Sequence, residues 1–181
     1  MTTLPVRIEN GQGETLIFER QVLTPTGERL EVRNEVQPGA GPPMHVHFKQ
    51  EEGLTVTAGR MGYQVQGASP RYAEPGETVV FAPGVAHRFW AEGEEVLRCT
   101  GYVQPPHNMV YFLSEIYRST RQHGKKPDDF EAAFLLHKYR SEFALLDIPA
   151  FVQRTIFPVL RLVGRVTGKY GQLAQGPEPV R

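Results

Sequence analysis

Only one cysteine, Cys99, occurs in the 181 residues, so no internal disulfide can staple the fold, and a reducing compartment is the expected setting. No run of about 18 uncharged apolar residues is present to span a bilayer. The opening Met1-Thr2-Thr3-Leu4-Pro5-Val6-Arg7 lacks the apolar core of a secretory signal, which fits a cytoplasmic protein. Neither sign of charge is in excess, since Lys+Arg and Asp+Glu both total 20. A polyanion-coating protein is therefore not expected, and no helix-turn-helix or basic reading helix is present to suggest nucleic acid. Repeats and low-complexity stretches are absent too. What remains is 40% hydrophobic and 22% charged residues in a chain of about one-domain length, enough to bury a core unaided.

The balanced total hides two halves. Residues 1–104 carry 9 Lys+Arg against 13 Asp+Glu, whereas residues 105–181 carry 11 against 7. Texture changes at the same point. The first part holds short β-branched and aromatic runs at Thr15–Val22, Arg29–Val36, Leu54–Thr57, Met61–Val65, Thr78–Phe81 and Glu95–Val103. Turn signals such as Pro25-Thr26-Gly27, Pro75-Gly76 and Glu92-Gly93 separate them, the pattern of an antiparallel sandwich or barrel. The expected domain is residues 1–104.

After Pro105-Pro106 the period becomes helical. Met109, Val110, Phe112, Leu113, Ile116 and Tyr117 recur at three- and four-residue steps, as one helix face requires. Lys125-Lys126-Pro127 breaks the chain, and Asp128 and Asp129 open a second helix, where acidic groups suit the positive end of the dipole. A third segment, from Pro149 to about Thr167, places Arg154, Arg161, Arg165 and Lys169 on one stripe and Ile156, Val159, Leu160, Val163 and Val166 opposite. Pro158 is expected to kink it. Residues 105–170 thus read as a helical extension packing on the barrel or on a partner, with membrane contact through 149–169 not expected. The tail 171–181 has little to pack and reads as mobile.

The chemistry lies with the histidines. His45-Val46-His47 puts two imidazoles on one face of a strand, because side chains alternate with period two. Glu51 and Glu52 follow, and Gly84-Val85-Ala86-His87 is a turn ending in a third histidine. Three imidazoles and one carboxylate suit Fe, Mn, Co, Ni or Zn and are poor for Ca or Mg. Four such ligands on one side of a six-coordinate ion leave two positions open, as catalytic metals do. His107, His123 and His137 have no such pattern and read as structural or solvated. Cys99 reads as a small buried apolar residue rather than a nucleophile.

Gly39-x5-His45-x-His47-x4-Glu52-x6-Gly59 resembles, position for position, the first signature of the cupin superfamily. Gly76 followed by Gly84-x2-His87 resembles the second, with 16 residues between Gly59 and Gly76 as in short single-domain members. Two positions depart from the pattern: Ala82 where proline is usual, and Ala91 where asparagine is usual. Both serve the turn and the strand end. The resemblance implies a mainly β fold, a small double-stranded β-helix barrel of jelly-roll type followed by about three C-terminal α-helices. It also implies one divalent transition metal held by His45, His47, Glu52 and His87. The spacing to Gly59 favours Glu52 over Glu51, which stays the alternative ligand.

Alternation turns Phe89 inward with His87, and Met61 and Tyr63 share the apolar face of their strand, so these three are candidate pocket walls or simply core. A metal-dependent enzyme of dioxygenase or isomerase type, acting on a small organic substrate, is the first functional expectation. The alternative is a metal- or ligand-binding sensor without turnover, and a metal-free, epimerase-like member is a third reading that the complete ligand set disfavours. The resemblance also suggests a homodimer.

Overall fold

Alternation of inward apolar and outward polar side chains builds the longest hairpin of the computed structural model, which describes residues 3–180. Strand β1 (Val6–Glu9) lies on β2 (Glu14–Thr24), which turns through Pro25-Thr26 into β3 (Gly27–Val36). Leu16, Phe18, Leu30, Val32 and Val36 point into the core, while Arg20 pairs with Glu31 and Arg33 with Glu19 on the outer face. One inward position of β3 breaks the apolar rule: Asn34 is buried.

The remaining strands are β4 (His45–His47), β5 (Glu51–Ala58), β6 (Arg60–Val65), β7 (Arg71–Ala73), β8 (Thr78–Phe81), β9 (His87–Glu92), β10 (Leu97–Gln104) and β11 (Phe143–Leu145). They form two antiparallel sheets, ordered β1-β2-β3-β10-β5-β8 and β11-β4-β9-β6-β7. Neighbours in the sheets are often distant in sequence, as in a jelly roll. Inner-face residues of both sheets, among them Leu54, Val56, Leu97 and Cys99 from one and Met61, Phe89 and Ala91 from the other, make one apolar cluster. Gly59 closes the turn between β5 and β6 at φ 71°. A Cβ there would also stand 2.7 Å from the Val96 carbonyl oxygen, so only glycine fits.

Beyond the barrel come α1 (Met109–His123), α2 (Asp129–Lys138) and α3 (Phe157–Val166). Asp128 caps α2, its carboxylate accepting from the backbone N–H groups of Phe130 and Glu131. These helices share a second apolar cluster with the barrel: Phe18, Leu30 and Val32 pack with Met109, Phe112, Phe134 and Tyr139. The extension therefore covers one side of the barrel, and α3 packs on α2. No helix among the described residues is long and apolar enough to cross a membrane.

Two details differ from the sequence reading. A π-helical turn, Val152–Ile156, precedes α3, so the ladder is already widened where Pro158 has no N–H to give. The stripe α3 buries is also narrower than the apolar side of its wheel. Phe157 and Gly164 face inward, Gly164 making room for the Tyr170 ring, while Val159, Leu162, Val163 and Val166 are exposed. Residues 171–180 make polar contacts that leave no periodic trace in sequence. Lys138 Nζ donates to the Gly176 carbonyl and Tyr139 Oη to that of Pro177, at 2.8 and 2.7 Å. The backbone N–H of Val180 donates to buried Glu142 at 2.9 Å. Arg181 lies outside the described residues.

Candidate metal centre

Strand register brings the three histidines together. His45 on β4 stands directly across from His87 on β9. The Gly84 N–H donates to the His47 carbonyl at 2.7 Å, tying the turn that carries His87 to the strand that carries the other two. Ring centroids of His45 and His87 are 4.5 Å apart, those of His45 and His47 4.9 Å. Glu52 reaches the group from the other sheet, its Oε2 lying 2.9 Å from His87 Nε2. One donor atom from each of His45, His47, Glu52 and His87 falls within 4.8 Å of all the others. Glu51 points to the opposite face, accepting from the Tyr102 hydroxyl at 2.6 Å. The geometry thus separates the two glutamates as period-two alternation demands.

The rings are fixed from behind. His45 Nδ1 lies 2.8 Å from the Pro43 carbonyl, and His87 Nδ1 lies 2.8 Å from that of Val85. Each contact places a proton on Nδ1 and turns Nε2 toward the cluster. Phe81 stacks on His87 at 3.8 Å, and Phe143 meets His47 edge-on at 5.7 Å. Burial, with the neighbouring imidazoles, lowers His45 to a pKa of about 3. Burial likewise takes His47 down to about 4, and His87 pushes the same way. For Glu52 burial works toward a higher value, but the His87 hydrogen bond and the three imidazoles outweigh it and hold the carboxyl at about 2. Near neutral pH the cluster therefore offers lone pairs on His45 and His47 and an ionised carboxylate, the protonation states a metal requires.

The donor set also fits a cation on a local argument. His87 faces an acceptor at each nitrogen, the Val85 carbonyl and Glu52, and a neutral imidazole can donate to only one. A divalent ion between Nε2 and Oε2 satisfies both, since adjacent ligands bound at about 2.1 Å stand about 3 Å apart. His47 Nδ1 is buried with no hydrogen-bond partner.

A cavity of about 630 Å³ opens onto His45, His47 and Glu52 and runs between the sheets and α1, a size usual for small-molecule sites. Its walls are mostly apolar, with Leu16, Phe18, Leu54, Phe112 and Leu113 among them. Of the three wall candidates from sequence, Phe89 lines this cavity. Met61 is fully buried in the barrel's apolar cluster, and Tyr63 packs at that cluster's edge and against Phe81. Among the polar residues of the cavity wall to which the sequence reading gave no role in a pocket are Glu14, Asn34 and Tyr117. A polar residue at an inward strand position, between Val32 and Val36, is the signal that marks Asn34. Cys99 is buried and inert, its thiol raised to about 12 by burial first and by Glu52 second.

Residues 32–102 match the family model described as the cupin domain. Among solved structures, the chain is similar to a cupin-2 domain protein of Rhodospirillum rubrum at 21% identity, covering 56% of this chain and 68% of that one with a TM-score of 0.45. A cupin-like protein of Thermotoga maritima gives 21% identity, coverage of 56% and 79%, and a TM-score of 0.43. The DMSP lyase DddQ of Ruegeria pomeroyi gives 21% identity over 41% of this chain, which spans only 37% of that lyase, with a TM-score of 0.38. At these scores none of them transfers a substrate or a reaction. A comparison with curated proteins gives no match.

Proposed function

Since residues 32–102 of this chain are a cupin domain, we propose that it is a cupin metalloenzyme whose His45, His47, Glu52 and His87 hold one divalent transition metal beside a small-molecule cavity. The observation that carries this reading is the convergence of four donor atoms within 4.8 Å, three of them from residues that line that cavity, His45, His47 and Glu52. Fe, Mn, Co, Ni and Zn all suit three imidazoles and a carboxylate.

A bound ion of this kind supplies Lewis acidity, lowering the pKa of a substrate hydroxyl or enol. The protein's own residues do the rest. His45 and His47 present lone pairs, and Pro43 and Val85 hold the rings of His45 and His87 in one tautomer. Glu52 is the carboxylate nearest any proton a bound substrate releases there. Leu54, Phe89 and Phe143 line the adjoining cavity with apolar surface, which excludes water and strengthens polar interactions. Substrates with adjacent oxygens, such as 1,2-diols and enols, suit a dioxygenase or an isomerase.

The test is elemental analysis of tag-free protein purified without chelators, beside His87→Ala. Near one Fe, Mn, Co or Ni per wild-type chain, lost in the variant, supports the reading and directs a screen of 1,2-diols and enols for O2 uptake. No metal after reconstitution overturns it and leaves a metal-free ligand-binding barrel. We further propose a cytoplasmic homodimer, in which a second copy covers the exposed Val159, Leu162, Val163 and Val166 of α3. Light scattering at a monomer's mass overturns the dimer.

A further inference from the structure

We propose that Glu14, Asn34 and Tyr117 form a second subsite of the cavity, which binds a hydroxyl group on the hydrocarbon body of the ligand. Both Glu14 and Asn34 are only 5% exposed and Tyr117 only 7%, yet all three line the cavity. Asn34 Nδ2 donates to Glu14 Oε1 at 3.0 Å, leaving Asn34 Oδ1 buried with no partner. An unpaired buried amide oxygen is costly unless something in the cavity donates to it. The Tyr117 hydroxyl lies beside the Glu14 carboxyl. Burial raises that carboxyl above its ordinary value, which shifts it toward the protonated form.

A hydroxyl is the group that answers this arrangement. It donates to Asn34 Oδ1 and accepts from Glu14 or Tyr117. It would serve equally if the amide were turned over, since it could then accept from Nδ2. A carboxylate would meet the unpaired oxygen as a second acceptor, and a hydrocarbon would leave it unpaired. The wall around the subsite, Leu16, Phe18, Val32 and Phe112, asks for apolar surface in the rest of the ligand. Glu14 also feels the charge of Glu52, so one small molecule can address both groups. That last step rests on the metal reading; the hydroxyl subsite does not.

The probes are 2-phenylethanol and its deoxy counterpart ethylbenzene, titrated calorimetrically into the full chain. The variants are Asn34→Leu, Tyr117→Phe and His87→Ala, each checked for a cooperative melt. The wild type is expected to prefer the alcohol by about tenfold or more, the worth of one well-made buried hydrogen bond. That preference should fall to about twofold in Asn34→Leu and shrink in Tyr117→Phe. It should survive in His87→Ala even as that variant loses metal. Equal binding of the two probes by the wild type overturns the subsite. So does a preference that disappears only in His87→Ala, because the hydroxyl is then held by the histidines. Metal content in the same samples reports separately on the metal reading.

Discussion

Glu14 and Glu52 are both inward-facing carboxyls of one cavity, and their surroundings drive them in opposite directions. Glu52 sits among three imidazoles and is held ionised, at a pKa of about 2, against the effect of its own burial. The side chains in contact with Glu14 are neutral, the Asn34 and Asn10 amides and the Tyr117 phenol; burial prevails over their hydrogen bonds, the charge of Glu52 pushes the same way, and its pKa rises. Environment rather than residue type divides the roles, as it does wherever two carboxyls of one site take different protonation states. One carboxyl is drawn toward the ionised form that suits a cation, and the other toward the neutral form.

The comparison is broken most directly by removing a ligand. His87→Ala is expected to reduce bound metal from about one per chain to near zero and to abolish any thermal stabilisation by added metal, read by elemental analysis and by melting with and without Co(II). Retained metal with full affinity would move the site elsewhere. The pair Glu52→Gln and Glu51→Gln comes next. A neutral amide at position 52 should weaken metal binding about 10- to 100-fold or more. The same change at 51 removes only a charge, keeps an oxygen that can accept from Tyr102, and should leave affinity within about twofold. Equal losses would mean that alternation along β5 does not sort the two residues.

How much of this was legible in the sequence follows from how each cluster is assembled. The histidine cluster draws on a short stretch. His45, His47 and Glu52 lie on two consecutive strands, and His87 follows a glycine turn, so spacing and period two sufficed to find them. The Glu14 cluster draws on β2, β3 and α1, with Tyr117 more than a hundred residues from Glu14. Nothing local connects those three, because only the docking of α1 on the barrel brings them together. Its one sequence signal was Asn34 on an inward strand position. The same limit hid β11, a three-residue strand completing the sheet beside β4, and the anchoring of the tail by Glu142. Met61 and Phe89 show the converse. Alternation gave their inward direction correctly, but whether an inward residue meets a cavity or solid core depends on the size of the side chains opposite.

The two clusters should also respond to pH with opposite sign. For His47 the native pKa is lowered from 6.5 to about 4, so the unfolded chain binds more protons between those values and stability falls on acidification. The slope approaches about 1.4 kcal/mol per pH unit for one such group. In metal-free protein, urea midpoints for the wild type and His47→Gln should therefore converge between pH 7 and pH 5. A gap that stays constant would mean that His47 is protonated in the native state.

The smallest effect is expected at Glu14. Its native pKa is raised above the ordinary 4.5, so here the native state is the one that binds more protons. Stability from this group is complete below 4.5 and is lost as pH rises through the native value. The Glu14→Gln variant keeps the shape and the acceptor for Asn34 but has no proton to lose. Measured at pH 4.5, wild type and variant should differ little; by pH 8 the variant should be the more stable, by about 1.4 kcal/mol for each pKa unit of the native rise. The same urea series, with both proteins metal-free, reads the difference directly. A wild type that gains on the variant as pH rises would mean that Glu14 is ionised in the folded chain. Asn34 and Tyr117 would then be donors to an anion, and the resemblance between the two carboxyls would extend to their charge.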